Sequence, residues 1–164
     1  MRKHTVAGAF ILLALLVTAC GPLGWGGSPY GRYASNGERI YFTGASANGP
    51  IRYSGGVSVG MMGGGMMGGG QLACADCHGS GGRGGRHVMH MTVMDAPDIR
   101  WSTLSEAEHD DEEMDHPPYD AESFNRAVTQ GLEPDGKRLD PAMPRWQMSD
   151  KDLDGLLEFL KSLK

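Results

Sequence analysis

The C-terminal segment carries the strongest amphipathic pattern in the chain. Five leucines recur at the spacing that places them on one face of a helix: Leu153, Leu156, Leu157, Leu160 and Leu163. Ser149 precedes this run as a residue suited to capping a helix, and Asp152 follows at the third helical position, where an acid completes the cap. The pattern predicts a C-terminal helix that buries its leucine face.

Two shorter segments also carry helical signals. Asp120 is a favourable N-cap for the sequence AESFNRAVTQ, in which Phe124 and Val128 fall on one helical face and Gly131 supplies a stop. Upstream, residues 36–42 are the first stretch with helical character. The pattern therefore predicts three helices between residue 36 and the last residue.

Glycine-rich and acidic segments separate these helices. From 43 to 70 the chain is rich in glycine and includes a methionine-glycine run, which predicts a long loop with at most a brief extended piece. The span 102–120 holds eight carboxylates and no lysine or arginine, a pattern typical of a solvated surface loop. Residues 20–35 are rich in glycine and proline and are expected to form a flexible tether.

The N-terminal residues are typical of an export signal. Arg2 and Lys3 precede an apolar run, Val6–Val17, that is short for a membrane span, and small residues follow it. The sequence VTAC at the end of the run resembles the lipobox of bacterial lipoproteins, which implies cleavage after residues 1–19 and a lipid on Cys20. The alternative is an ordinary signal peptide, or an uncleaved anchor, in which this cysteine has no role.

Composition limits the core and the partners that this chain can have. Its 164 residues suit one domain, and its formal net charge of −5 argues against nucleic acid, whose phosphates need a basic protein face. Because it has 26 glycines and only 7% aromatic residues, long stretches cannot pack a large core. A bulky apolar cofactor would help to fill the interior.

A cysteine pair followed by a histidine, CADCH, is the most specific chemical signal: Cys74, Cys77 and His78. A zinc site would need two more ligands at matching spacing, but the chain has no second cysteine pair. The histidines further along the chain match no common zinc pattern: His87, His90, His109 and His116. A dithiol redox centre normally opens a helix after a strand in an α/β fold, and the sequence shows no such alternation.

Covalent haem attachment uses this motif differently, because both thiols add to the haem vinyl groups and the histidine binds iron. On a helical turn Cys74 and Cys77 share one face, and His78 follows Cys74 by one turn. That geometry suits two sulfurs at the porphyrin edge and an imidazole over the metal. Export fits haem attachment, which bacteria perform outside the cytoplasm, but it also fits a structural disulfide.

The segment that precedes the last helix offers a sixth iron ligand. With the cysteine motif near the start, a Met-Pro loop, and a final amphipathic helix from about Asp150, the chain resembles class I cytochromes c. The matching residues are Cys74, Cys77, His78 and Met143-Pro144. The resemblance implies Met143 as the sixth ligand, with Met148 as its rival, and a small all-α domain around one covalent haem c.

Further residues resemble the family's haem environment. Ala96-Pro97-Asp98-Ile99 is similar to the segment whose proline carbonyl accepts a hydrogen bond from the histidine ligand. The resemblance therefore implies that Pro97 orients His78 and that Ile99 packs on the haem. Three more residues are implied as partners of the haem propionates: Trp101, Arg145 and Trp146.

The resemblance also concerns the first helix. Gly37 and Tyr41 resemble the small and aromatic pair with which the family's first helix packs against the last one, here near three apolar residues: Leu156, Phe159 and Leu160. The domain would then span 36–164. In the family the first helix runs almost directly into the cysteine motif, whereas roughly thirty residues separate them here, which predicts an insertion at about 43–70.

These features imply an electron carrier rather than an enzyme, because an iron bound by both His78 and Met143 has no position left for substrate. Methionine ligation raises the reduction potential relative to two histidines. We expect a lipid on Cys20 to hold the protein in the periplasm or on the outer face of a bacterial membrane. There it would pass electrons between respiratory redox proteins, as a monomer or as a subunit of a larger complex. An enzyme with a displaceable Met143 is one alternative.

A metal-handling lipoprotein is the other alternative. Thioethers suit Cu(I), and the glycine-rich run supplies four of them: Met61, Met62, Met66 and Met67. A second group of candidate ligands follows the cysteine motif: His87, Met89, His90, Met91 and Met94. The flanking glycines leave the first group without fixed geometry, and such runs also occur as simple spacers.

Overall fold

The computed structural model of the protein describes residues 33–56, 72–89, 92–106 and 116–164. Five helices lie in these ranges: α1 (Asn36–Thr43), α2 (Cys74–His78), α3 (Trp101–Leu104), α4 (Ala121–Gln130) and α5 (Asp150–Ser162). Four short strands lie between them: β1 (Arg52–Ser54), β2 (Gly85–Met89), β3 (Thr92–Ala96) and β4 (Arg145–Gln147). The predicted export signal, most of the tether, the methionine-glycine run and the centre of the acidic segment lie outside the described residues.

The three predicted helices are present, and local capping explains their ends. The Ser149 side chain accepts a hydrogen bond from the backbone of α5, and the Asp120 side chain does so for α4. Gly131 ends α4 in the left-handed conformation, with a φ of 69°. The sequence prediction of α1, α4 and α5 is therefore confirmed, including both capping residues.

Helices α1 and α5 cross at a point where both carry glycine. A Cβ on Gly37 would overlap the backbone of Gly155, so only glycine allows α1 to approach this closely. Beside the crossing, the Tyr41 and Phe159 rings lie with their centroids 5.1 Å apart, and Tyr41 is completely buried. The predicted packing of Gly37 and Tyr41 against the last helix is confirmed.

Helices α1, α4 and α5 supply most of the hydrophobic core. Most of its buried apolar side chains come from the three predicted helices: Ile40, Tyr41, Phe124, Ala127, Val128, Leu153, Leu156, Leu157 and Leu160. Leu163, the last residue of the predicted leucine face, packs against this core while partly exposed. The amphipathic pattern of the sequence thus identifies the buried faces correctly.

The strands form two antiparallel pairs, so the fold differs from the all-α prediction. β1 pairs with β4, which sets Tyr53 opposite Trp146, and β2 pairs with β3. β1 and β4 have three residues each and lie about ninety residues apart, too short and too distant for a local pattern to reveal. The described residues form a small helical domain with two short strand pairs.

Asp152 joins the start of α5 to the chain that follows α1. Its Oδ1 accepts hydrogen bonds from the Asn36 amide (2.8 Å), the Ser46 hydroxyl (2.6 Å) and the Asn48 amide (2.7 Å). Its Oδ2 accepts one from the Ser149 hydroxyl at 2.8 Å. The predicted capping acid therefore also fixes part of the 43–70 segment against the core.

Candidate functional site

The cysteine motif forms the short helix α2, and its acid stabilises the first turn. The Asp76 carboxylate accepts a hydrogen bond from the backbone N–H of Ala73 at 2.8 Å. Cys74 and Cys77 are half-buried free thiols rather than partners in a disulfide. Burial raises the pKa of the Cys74 thiol to about 12 and also raises the pKa of Cys77. Surroundings that disfavour a thiolate suit a neutral sulfur, such as a thioether.

His78 ends this helix, and its ring is buried with a defined orientation. Its Nδ1 lies 2.9 Å from the carbonyl oxygen of Pro97. Because a carbonyl oxygen can only accept, Nδ1 carries the proton and the lone pair of the ring lies on Nε2. This is the tautomer that a metal bound at Nε2 requires. The structure therefore brings Pro97 to His78 as the sequence predicts.

The pair β2–β3 returns the chain from His78 to Pro97. Gly85 and Ala96 are register partners at the base of this strand pair. Just before them, the Gly84 N–H donates to the carbonyl of His78 at 3.0 Å. Gly84 has a φ of +67°, and a Cβ there would overlap the carbonyls of Ala96 and Pro97. Gly84 is thus part of the site, although no sequence motif pointed to it.

Tyr41 links the helix crossing to the end of the cysteine helix. Its hydroxyl donates a hydrogen bond of 2.5 Å to the carbonyl oxygen of Gly79, the residue after His78. Burial raises the pKa of this hydroxyl well above its ordinary value, so it stays protonated and acts as a donor. Sequence reasoning assigned Tyr41 to packing alone and missed this hydrogen bond, since a packing pattern does not distinguish tyrosine from phenylalanine.

Met143 lies in a turn that borders a pocket of about 360 Å³. The Met143 N–H donates to the carbonyl of Asp140 at 3.1 Å, and the Asp140 carboxylate accepts from the N–H of Ala142 at 2.7 Å. The pocket is lined by Gly55, Arg138, Leu139, Asp140, Pro141, Met143 and Arg145. Met143 is half-buried here, whereas its rival Met148 packs against the hydrophobic core.

The remaining predicted residues lie in or beside the core. Trp146 is buried on β4, with its ring centroid 5.1 Å from that of Tyr53. Ile99 and Trp101 are partly buried against the core, and the Lys161 ammonium lies 5.5 Å from the centre of the Trp101 ring. The haem contacts predicted for these residues remain predictions.

Most of the candidate copper ligands lie outside the described residues, as does Cys20. Among the candidate histidine and methionine ligands that follow the cysteine motif, Met94 is a buried residue of β3. Within the part of the chain that the structure describes, no three His, Cys, Asp or Glu residues cluster in a way that could hold a metal ion. No helix in that part is both long and apolar enough to cross a membrane.

Comparison with known proteins gives one family match. The family described as Cytochrome c matches residues 70–164, which include the cysteine motif, Met143 and the whole of α5. This match covers more than half of the chain. No curated protein and no solved structure matches the chain.

Proposed function

The chain belongs to the cytochrome c family, and on that basis we propose that it is a membrane-tethered, extracytoplasmic carrier of single electrons. Membership in this family supports a covalently bound haem c and a role in electron transfer. In this proposal Cys74 and Cys77 hold the haem through thioethers, and His78 and Met143 ligate its iron. The bound haem supplies reversible one-electron chemistry, and the protein supplies its ligands and surroundings.

The observation that carries the proposal is the arrangement of His78. The ring is buried, it ends the helix that bears both thiols, and the Pro97 carbonyl fixes the proton on Nδ1. A hydrogen bond to Nδ1 raises the basicity of Nε2 and limits rotation of the ring. Together with the two free thiols on the same short helix, His78 fits a covalently attached haem.

The turn that contains Met143 supports the second half of the ligand pair. Met143 is half-buried in a hydrogen-bonded turn, and the Pro144 that follows it is buried and restricts the backbone, as in the Met-Pro loop that the chain resembles. With His78 and Met143 both bound, the iron would have no position left for a substrate, so the protein would transfer electrons and catalyse no other reaction. A soft thioether ligand stabilises the reduced iron and raises the reduction potential.

The tether is supported by the sequence of the N-terminal segment. A lipid on Cys20 would hold the carrier at the membrane surface, where its concentration near membrane-bound redox partners is raised. We expect Cys20→Ser to move the protein from the membrane fraction to the soluble fraction of the host. Retention of this variant in the membrane fraction would refute the lipid anchor.

We also propose that α1 is the family's first helix and that an insertion at about 43–70 separates it from the cysteine motif. The family match begins at residue 70, where this segment ends. The support comes from packing, because α1 crosses α5 through Gly37 and places Tyr41 beside Phe159.

Spectroscopy of the haem-loaded full chain tests the ligand pair. We expect a c-type spectrum that cycles between two oxidation states, with a low-spin ferric form and a sulfur-to-iron charge-transfer band. Met143→Leu should abolish that band, give a high-spin ferric form and lower the potential. Met148→Leu is the matched control, because Met148 packs against the core, and it should leave the spectrum unchanged. Loss of the band in Met148→Leu but not in Met143→Leu would assign the ligand to Met148 instead.

A further inference from the structure

Arg145 directs its guanidinium back onto the turn that contains Met143. It is the first residue of β4, and its Nη1 donates to the carbonyl oxygen of Met143. Its Nη2 donates to the carbonyl of Leu139 at 3.0 Å and to that of Asp140 at 3.4 Å. One half-buried side chain therefore bonds the backbone at both ends of the segment 139–143.

The C-terminus of α4 leaves room for this guanidinium. Gly131 ends the helix with a φ of 69°, and a Cβ at this position would overlap the Nε and Cζ atoms of Arg145. The Gly131 carbonyl also accepts a hydrogen bond of 2.9 Å from the N–H of Leu139. Glycine is thus needed here twice, once for its backbone angle and once to make room for the arginine.

Electrostatics favours the same arrangement. Carbonyl oxygens that converge on one point repel one another unless a donor lies between them, and a guanidinium offers several donors in one plane. A cation at the C-terminus of a helix is stabilised by the partial negative charge of the last carbonyls. A lysine at position 145 would keep the charge but present it from a single atom, so it could not bond the separate carbonyls in the same way.

We propose that Arg145 is a positioning residue for Met143: by bonding the carbonyls of the segment 139–143, it fixes the backbone from which the Met143 thioether extends. This inference rests on the proposed ligation of iron by Met143. The residue acts through the backbone and does not itself bind iron. Without the guanidinium the turn would gain freedom, and Met143 would hold the iron less firmly.

The test compares Arg145→Lys with Arg138→Lys in the haem-loaded full chain. Arg138 lines the same pocket but is exposed, so it is the matched control for charge and location. Arg145→Lys should weaken the sulfur-to-iron band, lower the potential and speed the binding of added imidazole to ferric iron at least about tenfold, the effect of losing one charge-assisted hydrogen bond. Arg138→Lys should match the wild type in all three measurements.

Hydrogen exchange gives a readout that does not depend on electron transfer. In Arg145→Lys the amides of Leu139 and Met143 should exchange faster, while those of α5 should exchange at the wild-type rate. Gly131→Ala provides a second variant, because it leaves the arginine intact but fills the space of its guanidinium. It should show the same weakened band and faster exchange of the Met143 amide, whose hydrogen-bond partner is Asp140 and not Gly131.

The outcomes separate this inference from the proposed function. If the wild type shows the sulfur-to-iron band and Arg145→Lys retains the band, the potential and the imidazole binding rate, Arg145 does not position Met143. If the wild-type spectrum instead equals that of Met143→Leu, the ligation itself is refuted, and the positioning role with it. Equal losses in Arg145→Lys and Arg138→Lys would show that any loss of a guanidinium at this pocket weakens the site, and would also overturn the inference.

Discussion

The crossing of α1 and α5 allows a stability prediction with an internal control. Gly37 and Gly155 face each other there, but their surroundings differ. A Cβ built on Gly37 would lie 1.8 Å from the carbonyl oxygen of Gly155 and 3.0 Å from the N–H nitrogen of Leu156. A Cβ built on Gly155 would lie 3.6 Å from the nitrogen of Gly37, which is an ordinary van der Waals distance. The same substitution should therefore have opposite effects at the two positions.

The magnitude follows from these distances. A carbon normally approaches a carbonyl oxygen to about 3.3 Å at the closest, so Gly37→Ala forces the helices apart by roughly 1.5 Å. Both clashing groups are backbone and neither can rotate away, so the cost lies near the upper end of the overpacking range, at about 3 kcal/mol. Alanine favours a helix over glycine by about 0.5–1 kcal/mol at either position. We expect Gly37→Ala to lose roughly 2–3 kcal/mol and Gly155→Ala to gain up to about 1 kcal/mol.

The assay is chemical unfolding of the haem-loaded protein, followed by far-ultraviolet circular dichroism. Gly37→Ala should shift the midpoint to lower denaturant with an unchanged slope, which marks a loss of stability without a change in the surface exposed on unfolding. Gly155→Ala should shift it slightly upward or not at all. Equal losses in the two variants, or a larger loss in Gly155→Ala, would contradict the crossing geometry.

Three further predictions concern Tyr41, Asp152 and Gly84. Tyr41→Phe removes the donor to the Gly79 carbonyl and should cost about 1 kcal/mol in the same unfolding assay, with unchanged helix content. Burial alone would raise the pKa of Asp152, but hydrogen bonds to its carboxylate outweigh burial and lower it. The ionised carboxylate therefore stabilises the fold at pH values above the unfolded pKa near 3.8, and this contribution is lost as pH falls through the lower folded pKa. Asp152→Asn should be less stable than the wild type at neutral pH, and its stability should fall less in acid. Denaturant unfolding at a series of pH values measures both effects. Gly84→Ala should displace the Pro97 carbonyl from His78, which makes the His78 imidazole less basic and raises the midpoint potential in a redox titration. Gly81→Ala is the control and should leave the potential unchanged, because a Cβ at Gly81 meets no neighbouring atom.

The site could be predicted from sequence where the chemistry is local. Cys74, Cys77 and His78 lie within one helical turn, so their spacing already determines their geometry. Pro97 was found through its resemblance to a known segment rather than from spacing. The strand pair that brings it to His78 was not predicted, because its short strands mix polar and apolar residues without a clear period of two.

The contacts of Arg145 show a different limit. The resemblance implied that Arg145 contacts the haem propionates. In the structure its guanidinium donates hydrogen bonds to backbone carbonyls in the turn that contains Met143. Backbone carbonyls are present at every residue, so no pattern of side chains reveals where several of them converge. The role of Gly131 beyond its helix cap was hidden for the same reason, since the guanidinium above it comes from a distant residue.

The leucine pattern and the capping residues were sufficient to define α4 and α5 and their buried faces, and the CADCH spacing placed both thiols and His78 within one helical turn. These features depend on neighbours within one or two helical turns, where backbone geometry converts sequence spacing directly into position. Folding of the whole chain was needed to pair β1 with β4, to bring Asn36, Ser46 and Asn48 to Asp152, and to place Arg145 over Gly131. Those contacts join residues that are far apart in sequence, and they form only because the core brings their backbones together.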